Sequence, residues 1–260
     1  MTADAFFRPA GDTFAATELT RGPWSPDHQH AGPPAALIAR AVERALPADI
    51  PMQVARMTLE ILRPVPIAEL TVATEESHGG RRMRLIEAEL RAGDTALIRA
   101  RALALRTADL PVPPATDPAE PPRPPAESEA FEFPFFTADV GYHTAMEIRV
   151  ARGEFGRGAM AGWMRMRVPL VAGEEPTPLQ RVMTAADSGN GLSLVLDLRR
   201  FTFVNPDLTV HLHRLPAGEW VCLDAVTTPQ SNGVALADSR LYDERGPIGR
   251  AAQSLIVQSR

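Results

Sequence analysis

The chain has 260 residues, 45% of them hydrophobic and 23% charged, with a formal net charge of −5 at pH 7. These values fit a soluble globular protein that can bury a sizeable core in one large domain or two ordinary ones. No basic run is longer than Arg81-Arg82, so no nucleic-acid partner is expected. The single cysteine excludes disulfides within the chain, and no segment has the apolar length of a signal peptide or membrane span. The composition therefore predicts a cytoplasmic protein with no membrane partner.

The first half of the chain predicts one helix followed by four strands. Apolar residues recur at helical spacing over 32–46, with Ala35, Ile38 and Val42 on one face. Alternating runs broken by glycine and proline then predict strands. The predicted strands span 52–63, 68–77, 82–92 and 95–106, and a short strand around 13–19 precedes the helix.

A proline-rich segment separates this half from a second one. The stretch LPVPPATDPAEPPRPPAES is acidic and has no periodicity, which predicts an extended linker over 108–135. The linker would join an N-terminal unit, 1–107, to a C-terminal unit, 136–260. In the second unit, short strands are predicted around 144–152 and 159–168, and a helix at about 177–196.

The two halves align with each other at one offset. Placing MTLEILRP on LTVHLHRL matches Thr58 with Thr209 and Arg63 with Arg214, an offset of 151 residues. The same offset aligns LIRARALAL with IGRAAQSLI. The sequence therefore predicts a duplicated α+β unit, each copy a curved antiparallel sheet wrapped around one long helix.

This pattern resembles the double hot-dog acyl-CoA thioesterases, the acyl-CoA thioesterase II-like family. The matching stretches are GPWSPDHQHAGPPAAL in the first half, and TAADSGNGLS, FVNPDLTVHLHRLPAGEW and GRAAQSL in the second. The resemblance implies a tandem hot-dog fold and hydrolysis of an acyl-CoA substrate by direct attack of an activated water. It implies no metal and no organic cofactor, and a role in fatty acid metabolism. Assembly into a homo-oligomer stays open.

The resemblance also implies three residues that hold the attacking water. These are Asp187 on the second helix, Gln253 on the last strand, and Asn205 at the position where the family usually has Thr or Ser. Alternation in GRAAQSLIVQ points Gln253 inward, where its amide needs hydrogen-bond partners. A structural glutamine bonded to backbone and a helix-bending aspartate are the alternatives. Alternation turns Asn205 away from the helix, so Asn205-Pro206 is interpreted first as a turn.

The stretch DHQHAGPPAAL predicts a substrate-binding helix start. Two prolines in the first turn lack N–H groups, so the free amides nearest the tip belong to Ala31 and Gly32. Together with the helix dipole they suit an oxyanion that develops on a thioester carbonyl; a plain helix start is the alternative. We expect His30 to hydrogen-bond the substrate and Trp24 to line the acyl channel.

Three other functions remain as alternatives. Zinc binding by the pairs His28/His30 or His211/His213 lacks a cysteine or carboxylate to complete the site. A non-catalytic acyl-CoA-binding protein of the same fold would fit the departure at Asn205. A hydratase or dehydratase usually pairs an aspartate with a histidine in one short loop, and no such pair occurs near Asp187 in the sequence.

Overall fold

Alternation of apolar and polar residues makes most of this chain a sheet. The computed structural model describes residues 4–113 and 120–260. In the N-terminal half the strands are β1 (Phe7–Ala10), β2 (Thr13–Ala16), β3 (Met52–Ile61), β4 (Glu69–Gly79), β5 (Met83–Ala92) and β6 (Thr95–Arg106). After them come β7 (Glu129–Phe131), β8 (Met146–Gly153), β9 (Ala159–Met166), β10 (Phe201–Val204), β11 (Asp207–Leu212), β12 (Val221–Pro229), β13 (Val234–Asp243) and β14 (Gly246–Ser259). The helices are α1 (Gly32–Ala45), α2 (Tyr142–Ala145), α3 (Pro178–Ala186) and α4 (Gly189–Leu192).

The strands form one antiparallel sheet in which the two halves are joined edge to edge. Its order is β1-β2-β4-β5-β6-β3-β11-β14-β13-β12-β9-β8-β7, and β10 pairs with β14. At the junction β3 pairs with β11, where Thr58 lies opposite Thr209 and their hydroxyl oxygens are 3.3 Å apart. The two residues that face each other at the junction are thus residues that the sequence offset of 151 aligns.

The pairing registers on the two sides of this junction agree at the same offset. Going outward, the strand order is β3-β6-β5-β4-β2 on one side and β11-β14-β13-β12-β9 on the other. Cross-strand pairs related by 151 residues occur in three successive strand pairings. They are Thr58–Arg101 with Thr209–Ala252, Glu87–Arg101 with Asp238–Ala252, and Glu75–Glu87 with Val226–Asp238.

Helices α1 and α3 pack against each other and against the inner face of the sheet. The predicted helix over 32–46 is confirmed within one residue, and its first nine residues, 32–40, are all buried. A single long second helix is not what forms: α3 ends at Ala186 and α4 begins at Gly189. Two glycines in GNGL, which favour helix poorly, follow the break. In the two described ranges, no helix has the length and hydropathy needed to cross a membrane.

The described part of the predicted linker is not a free connector. Strand β7 pairs with β8, and the carbonyl of Arg123 accepts a hydrogen bond of 2.6 Å from the Trp163 indole. Phe133 is buried in the main core. The phenylalanines of FEFPFF supply enough apolar surface to dock this part of the chain, which the preceding prolines do not. Residues 114–119 of the predicted linker lie outside the described residues.

Candidate functional site

A cleft of about 360 Å³ opens where α1 begins and α3 ends. Both halves of the chain line it. Its walls are mainly apolar and include Ile61, Leu62, Phe133, Phe135 and Val204. Its polar groups include His30, Asp187, Asn190 and Asn205. An apolar cleft with a few converging polar groups is the usual form of a small-molecule site.

The carboxylate of Asp187 is the centre of the polar cluster. Asp187 follows the last residue of α3 and is 5% exposed. Its Oδ1 accepts a hydrogen bond of 2.8 Å from Asn205 Nδ2 and one of 3.2 Å from Gln253 Nε2. The structure therefore brings together the three residues that the resemblance singled out, although they lie far apart in the chain.

Gln253 is fixed by hydrogen bonds at both ends of its amide. It lies on β14 and is 2% exposed, so its predicted inward orientation is confirmed. Its Oε1 accepts from the backbone N–H of Asn190 at 3.1 Å, while Nε2 also donates to the carbonyl of Asp187 at 3.1 Å. Because Oε1 faces an N–H donor, the amide nitrogen must face Asp187.

Asn205 does not point away from the helix, as simple alternation suggested. It lies between β10 and β11, before Pro206, so strand alternation does not continue through it. Besides its bond to Asp187, its Oδ1 accepts from the Asn190 side chain at 3.5 Å. Asn205 is therefore both part of a turn and a hydrogen-bond donor in the site.

His30 reaches the cluster from the first half of the chain. Its Nδ1 lies 3.2 Å from Asp187 Oδ2, and its ring stacks on Tyr142 with a centroid distance of 3.8 Å. The same Nδ1 lies 3.1 Å from the amide nitrogen of Gly32. One ring nitrogen cannot accept from Gly32 and donate to Asp187 at once, so the two contacts correspond to different protonation states. An aspartate–histidine pair thus exists in space, though not in one loop.

Burial lowers the pKa of His30 below its ordinary value of 6.5, and the nearby Asp187 carboxylate acts in the opposite direction to a smaller extent. The neutral imidazole is therefore favoured near neutral pH, in a form that can still gain a proton.

This lowered pKa predicts that mild acid destabilises the fold. As the pH falls through 6.5, His30 takes up a proton in the unfolded chain before it does so in the folded one. The unfolded state binds more protons in that window, so the free energy of unfolding should fall. Urea denaturation between about pH 7 and about pH 5.5, where most carboxylates stay ionised, measures this slope. A His30→Gln variant should have a shallower slope, and an unchanged slope would contradict the assignment.

Gly32 is not a free donor at the helix tip, contrary to the sequence-based expectation. Its N–H points to His30 Nδ1, and it does not line the cleft. A Cβ at Gly32 would lie under 3.0 Å from the carbonyl oxygen of Thr184, so glycine allows α1 to approach α3 closely. The neighbouring Ala31 does line the cleft. Across residues 4–113 and 120–260, no group accepts a hydrogen bond from the Ala31 N–H.

Trp24 lines the cleft, and its side chain is 49% exposed. It stacks on Phe135 with ring centroids 5.9 Å apart and meets Phe203 edge-on at 5.4 Å. This aromatic wall was only partly foreseen, because Phe135 lies with other phenylalanines in the segment interpreted as a linker. Their density in FEFPFF was the available signal.

The sequence analysis missed two polar residues of the site, Tyr142 and Ser188. The Tyr142 hydroxyl donates to the Thr184 carbonyl at 2.9 Å and lies 2.9 Å from Ser188 Oγ. Burial strongly raises the pKa of Tyr142, so it stays a neutral donor. Tyr142 lies in a helix of four residues, which is too short to give a periodic signal.

No group of three or more His, Cys, Asp or Glu in the described parts of the chain is arranged to hold a metal ion.

Two family models match this chain. Residues 20–107 match the model of the acyl-CoA thioesterase N-terminal domain, and residues 113–257 match that of the acyl-CoA thioesterase C-terminal domain. No curated protein matches the chain in sequence.

Solved structures share its fold. A thioesterase II from Thermobifida fusca, described as putative, is 16% identical, with a TM-score of 0.76 over 96% of this chain and 94% of that one. A protein with a hot-dog fold from Alicyclobacillus acidocaldarius is 16% identical, with a TM-score of 0.74 over 99% and 97%. A thioesterase from Novosphingobium aromaticivorans, also described as putative, is 19% identical, with a TM-score of 0.73 over 96% and 98%. At these identities the likeness shows the hot-dog fold alone.

The two family matches together cover nearly all of the chain outside its first residues. The first match ends at residue 107 and the second begins at residue 113. The chain therefore belongs to the acyl-CoA thioesterase family and is a thioester hydrolase.

Proposed function

We propose that this chain hydrolyses acyl-CoA by direct attack of a water molecule held by Asp187, Gln253 and Asn205. The observation that carries the proposal is how the two oxygens of the Asp187 carboxylate are engaged. Two amide donors occupy Oδ1, and Oδ2 faces His30 beside an apolar cleft. A carboxylate with one oxygen held by fixed donors can take a proton from water on the other.

The reaction uses these side chains and one backbone N–H. Oδ2 of Asp187 takes a proton as the water oxygen bonds to the thioester carbon, and the carbonyl electrons move onto its oxygen. The Ala31 N–H at the start of α1 can donate to this oxyanion, which the helix dipole also favours. The electrons on the oxyanion then re-form the carbonyl as the carbon–sulfur bond breaks, and the proton on Asp187 passes to the departing thiolate. The products are a carboxylic acid and a thiol.

His30 is proposed to orient Asp187 rather than to replace it as the base. Its ring stacks on Tyr142, which holds Nδ1 close to Oδ2. When Asp187 carries the proton, Nδ1 can accept from it; when Asp187 is ionised, Nδ1–H can donate to it. When Nδ1 carries no proton, the Gly32 N–H can donate to it instead.

We also propose that the chain is a tandem hot-dog, with units 1–107 and 136–260 joined by the segment 108–135. The equal registers on the two sides of the β3/β11 junction support this duplication, as does the pairing of Thr58 with Thr209. A pseudo-twofold axis through that pair would relate the two halves. The docked strand β7 indicates that part of the joining segment belongs structurally to the second unit.

Thiol release tests the proposed reaction. We expect the purified protein to release free CoA from short-, medium- or long-chain acyl-CoA, at different rates for different lengths. An enoyl-CoA should be included, because the His30–Asp187 pair could also serve hydration. Consumption of the double bond without thiol release would contradict hydrolysis, and so would stoichiometric binding of every acyl-CoA without turnover.

Asn205 should contribute more to the rate of hydrolysis than its sequence context suggested. Removing its amide in Asn205→Ala takes away the 2.8 Å hydrogen bond to Asp187 Oδ1, so kcat should fall roughly tenfold or more. Asn205→Ser offers a hydroxyl donor at the position where the family usually has one, and should restore part of the rate. Steady-state kinetics with the best acyl-CoA gives both values. Equal rates for Asn205→Ala and the unmodified protein would show that the contact is only structural.

A further inference from the structure

We infer that Arg63 binds a phosphate group of the CoA head group at the mouth of the cleft. This inference rests on the proposed function, because it concerns the substrate of the same site. It names a side chain that would distinguish CoA thioesters from thioesters that lack phosphate.

Arg63 is the one arginine or lysine among the residues that line the cleft. It follows β3, is exposed, and stands next to Leu62 and Pro64 in the lining. Its backbone N–H donates to the Leu97 carbonyl at 3.3 Å, and the ring of Pro64 restricts the chain beside it. The position of the arginine backbone is therefore fixed, while its side chain is exposed at the entrance.

The guanidinium of Arg63 has no ion-pair or hydrogen-bond partner within the described ranges 4–113 and 120–260. The acidic residue in the cleft lining is Asp187, whose carboxylate is already engaged by Asn205, Gln253 and His30. Arg63 thus leaves an uncompensated positive charge at the entrance of a mostly apolar cleft. Such a charge attracts an anionic ligand, and a guanidinium can hold a phosphate through two parallel hydrogen bonds.

The duplicate of Arg63 shows what the same position does when it is neutralised. Arg214, 151 residues later, donates to Asp243 Oδ1 at 2.6 Å and forms a second bond to Oδ2. It also donates to the carbonyls of Pro247 and Gly246. The side chain of Asp243 is fully buried, and its pKa is lowered by the hydrogen bonds from Arg214 and nearby amides, against the effect of burial. Arg214 is therefore a structural residue.

The first half lacks the acid that would lock Arg63 in this way. Ala92, at the end of β5, corresponds to Asp243 at the offset of 151 residues. It pairs with Thr95, just as Asp243 pairs with Gly246. Pro66, which has no N–H, stands at the position of Ala217, whose amide donates to Asp243. Of two arginines at equivalent positions, the one in the cleft is thus the one without a partner. This difference is what assigns a ligand-binding role to Arg63.

The test compares a substrate that carries phosphates with one that does not. Arg63→Gln should raise KM for an acyl-CoA by roughly fivefold to tenfold, as for loss of an exposed charge-assisted hydrogen bond, with little change in kcat. The KM for the same acyl group on pantetheine, which has no phosphate, should not change. Arg81→Gln is the matched control, because Arg81 is also exposed but does not line the cleft. Its kinetics should equal those of the unmodified protein with both substrates.

Calorimetric titration with CoA, dephospho-CoA and pantetheine gives a second readout that needs no turnover. CoA binding should weaken in Arg63→Gln, and a loss seen with CoA but not with dephospho-CoA would assign the contact to the 3′-phosphate. Equal effects of Arg63→Gln on acyl-CoA and acyl-pantetheine, or no effect on CoA binding, would overturn the inference. Failure of the proposed function would look different, since no thioester would then be hydrolysed by the unmodified protein.

Discussion

Replacing Asp187 with asparagine should lower kcat for acyl-CoA hydrolysis by at least ~10²-fold, the usual contribution of a positioned base. Asparagine has the same shape, and its oxygen can still accept from Asn205 and Gln253 as Oδ1 does now. It has no second oxygen that could take a proton from water. The fold and the KM should therefore change much less than kcat, which steady-state thiol release and a thermal melt will show.

The matched control is Asp238→Asn on β13. Asp238 is a partly exposed carboxylate that pairs with Arg250 at 2.6 Å, and it does not line the cleft. Losing a surface ion pair costs little stability and should leave turnover unchanged. A rate for Asp187→Asn within a few-fold of the unmodified protein would mean that Asp187 only stabilises the end of α3.

A single methyl group at Gly32 should produce the largest loss of stability. The Cβ of Gly32→Ala would lie under 3.0 Å from the Thr184 carbonyl oxygen, and this contact is with backbone of α3. The same carbonyl accepts the Tyr142 hydroxyl, so moving it disturbs a second buried bond. We expect the free energy of unfolding to fall by about 1–3 kcal/mol or more, which lowers Tm by roughly 2–4 °C per kcal/mol in a chain of this size.

Gly191→Ala is the control for this substitution. Gly191 lies in α4, and the atoms nearest to a Cβ there are ring carbons of Phe133 and Phe135, at ordinary contact distances of 3.5 Å or more. Alanine also favours helix over glycine, so this variant should keep its Tm or gain slightly. If Gly32→Ala melts at the temperature of the unmodified protein, α1 and α3 are not as closely packed as the contact at Thr184 requires.

Periodicity predicted those features in which regular structure decides the direction of a side chain. Alternation along β14 was enough to turn Gln253 inward, because the strand is regular through that residue. Helix α1 and the offset between the halves were also visible, since both depend on long repeated patterns. The match between Thr58 and Thr209 became a contact because these residues lie opposite each other where β3 pairs with β11.

The rest of the site depends on places where regular structure ends. Asn205 lies at a turn before a proline, and Asp187 at a break between two helices, so no periodicity fixes either side chain. The contact of His30 with Asp187 and its stacking on Tyr142 join residues from both halves. Such contacts follow from how α1 and α3 pack, which the sequence pattern of either helix alone does not determine.

The proposed duplication should nevertheless leave the chain with a single working site. Ala102, on β6, stands at the position of Gln253 and cannot orient a water molecule. At the other end of the helix pair, Glu43 accepts hydrogen bonds from Thr177 and Gln180, so its carboxylate is engaged by the start of α3. The site thus combines Ala31 and His30 from the first half with the carboxylate and amides of the second.

Titration of the protein with a non-hydrolysable acyl-CoA analogue tests this central claim most directly. One asymmetric cleft predicts one equivalent of analogue bound per chain, and inhibition of thiol release that is complete at that ratio. Two equivalents of similar affinity would contradict the account, as would thiol release that survives in a chain lacking both Asp187 and Gln253.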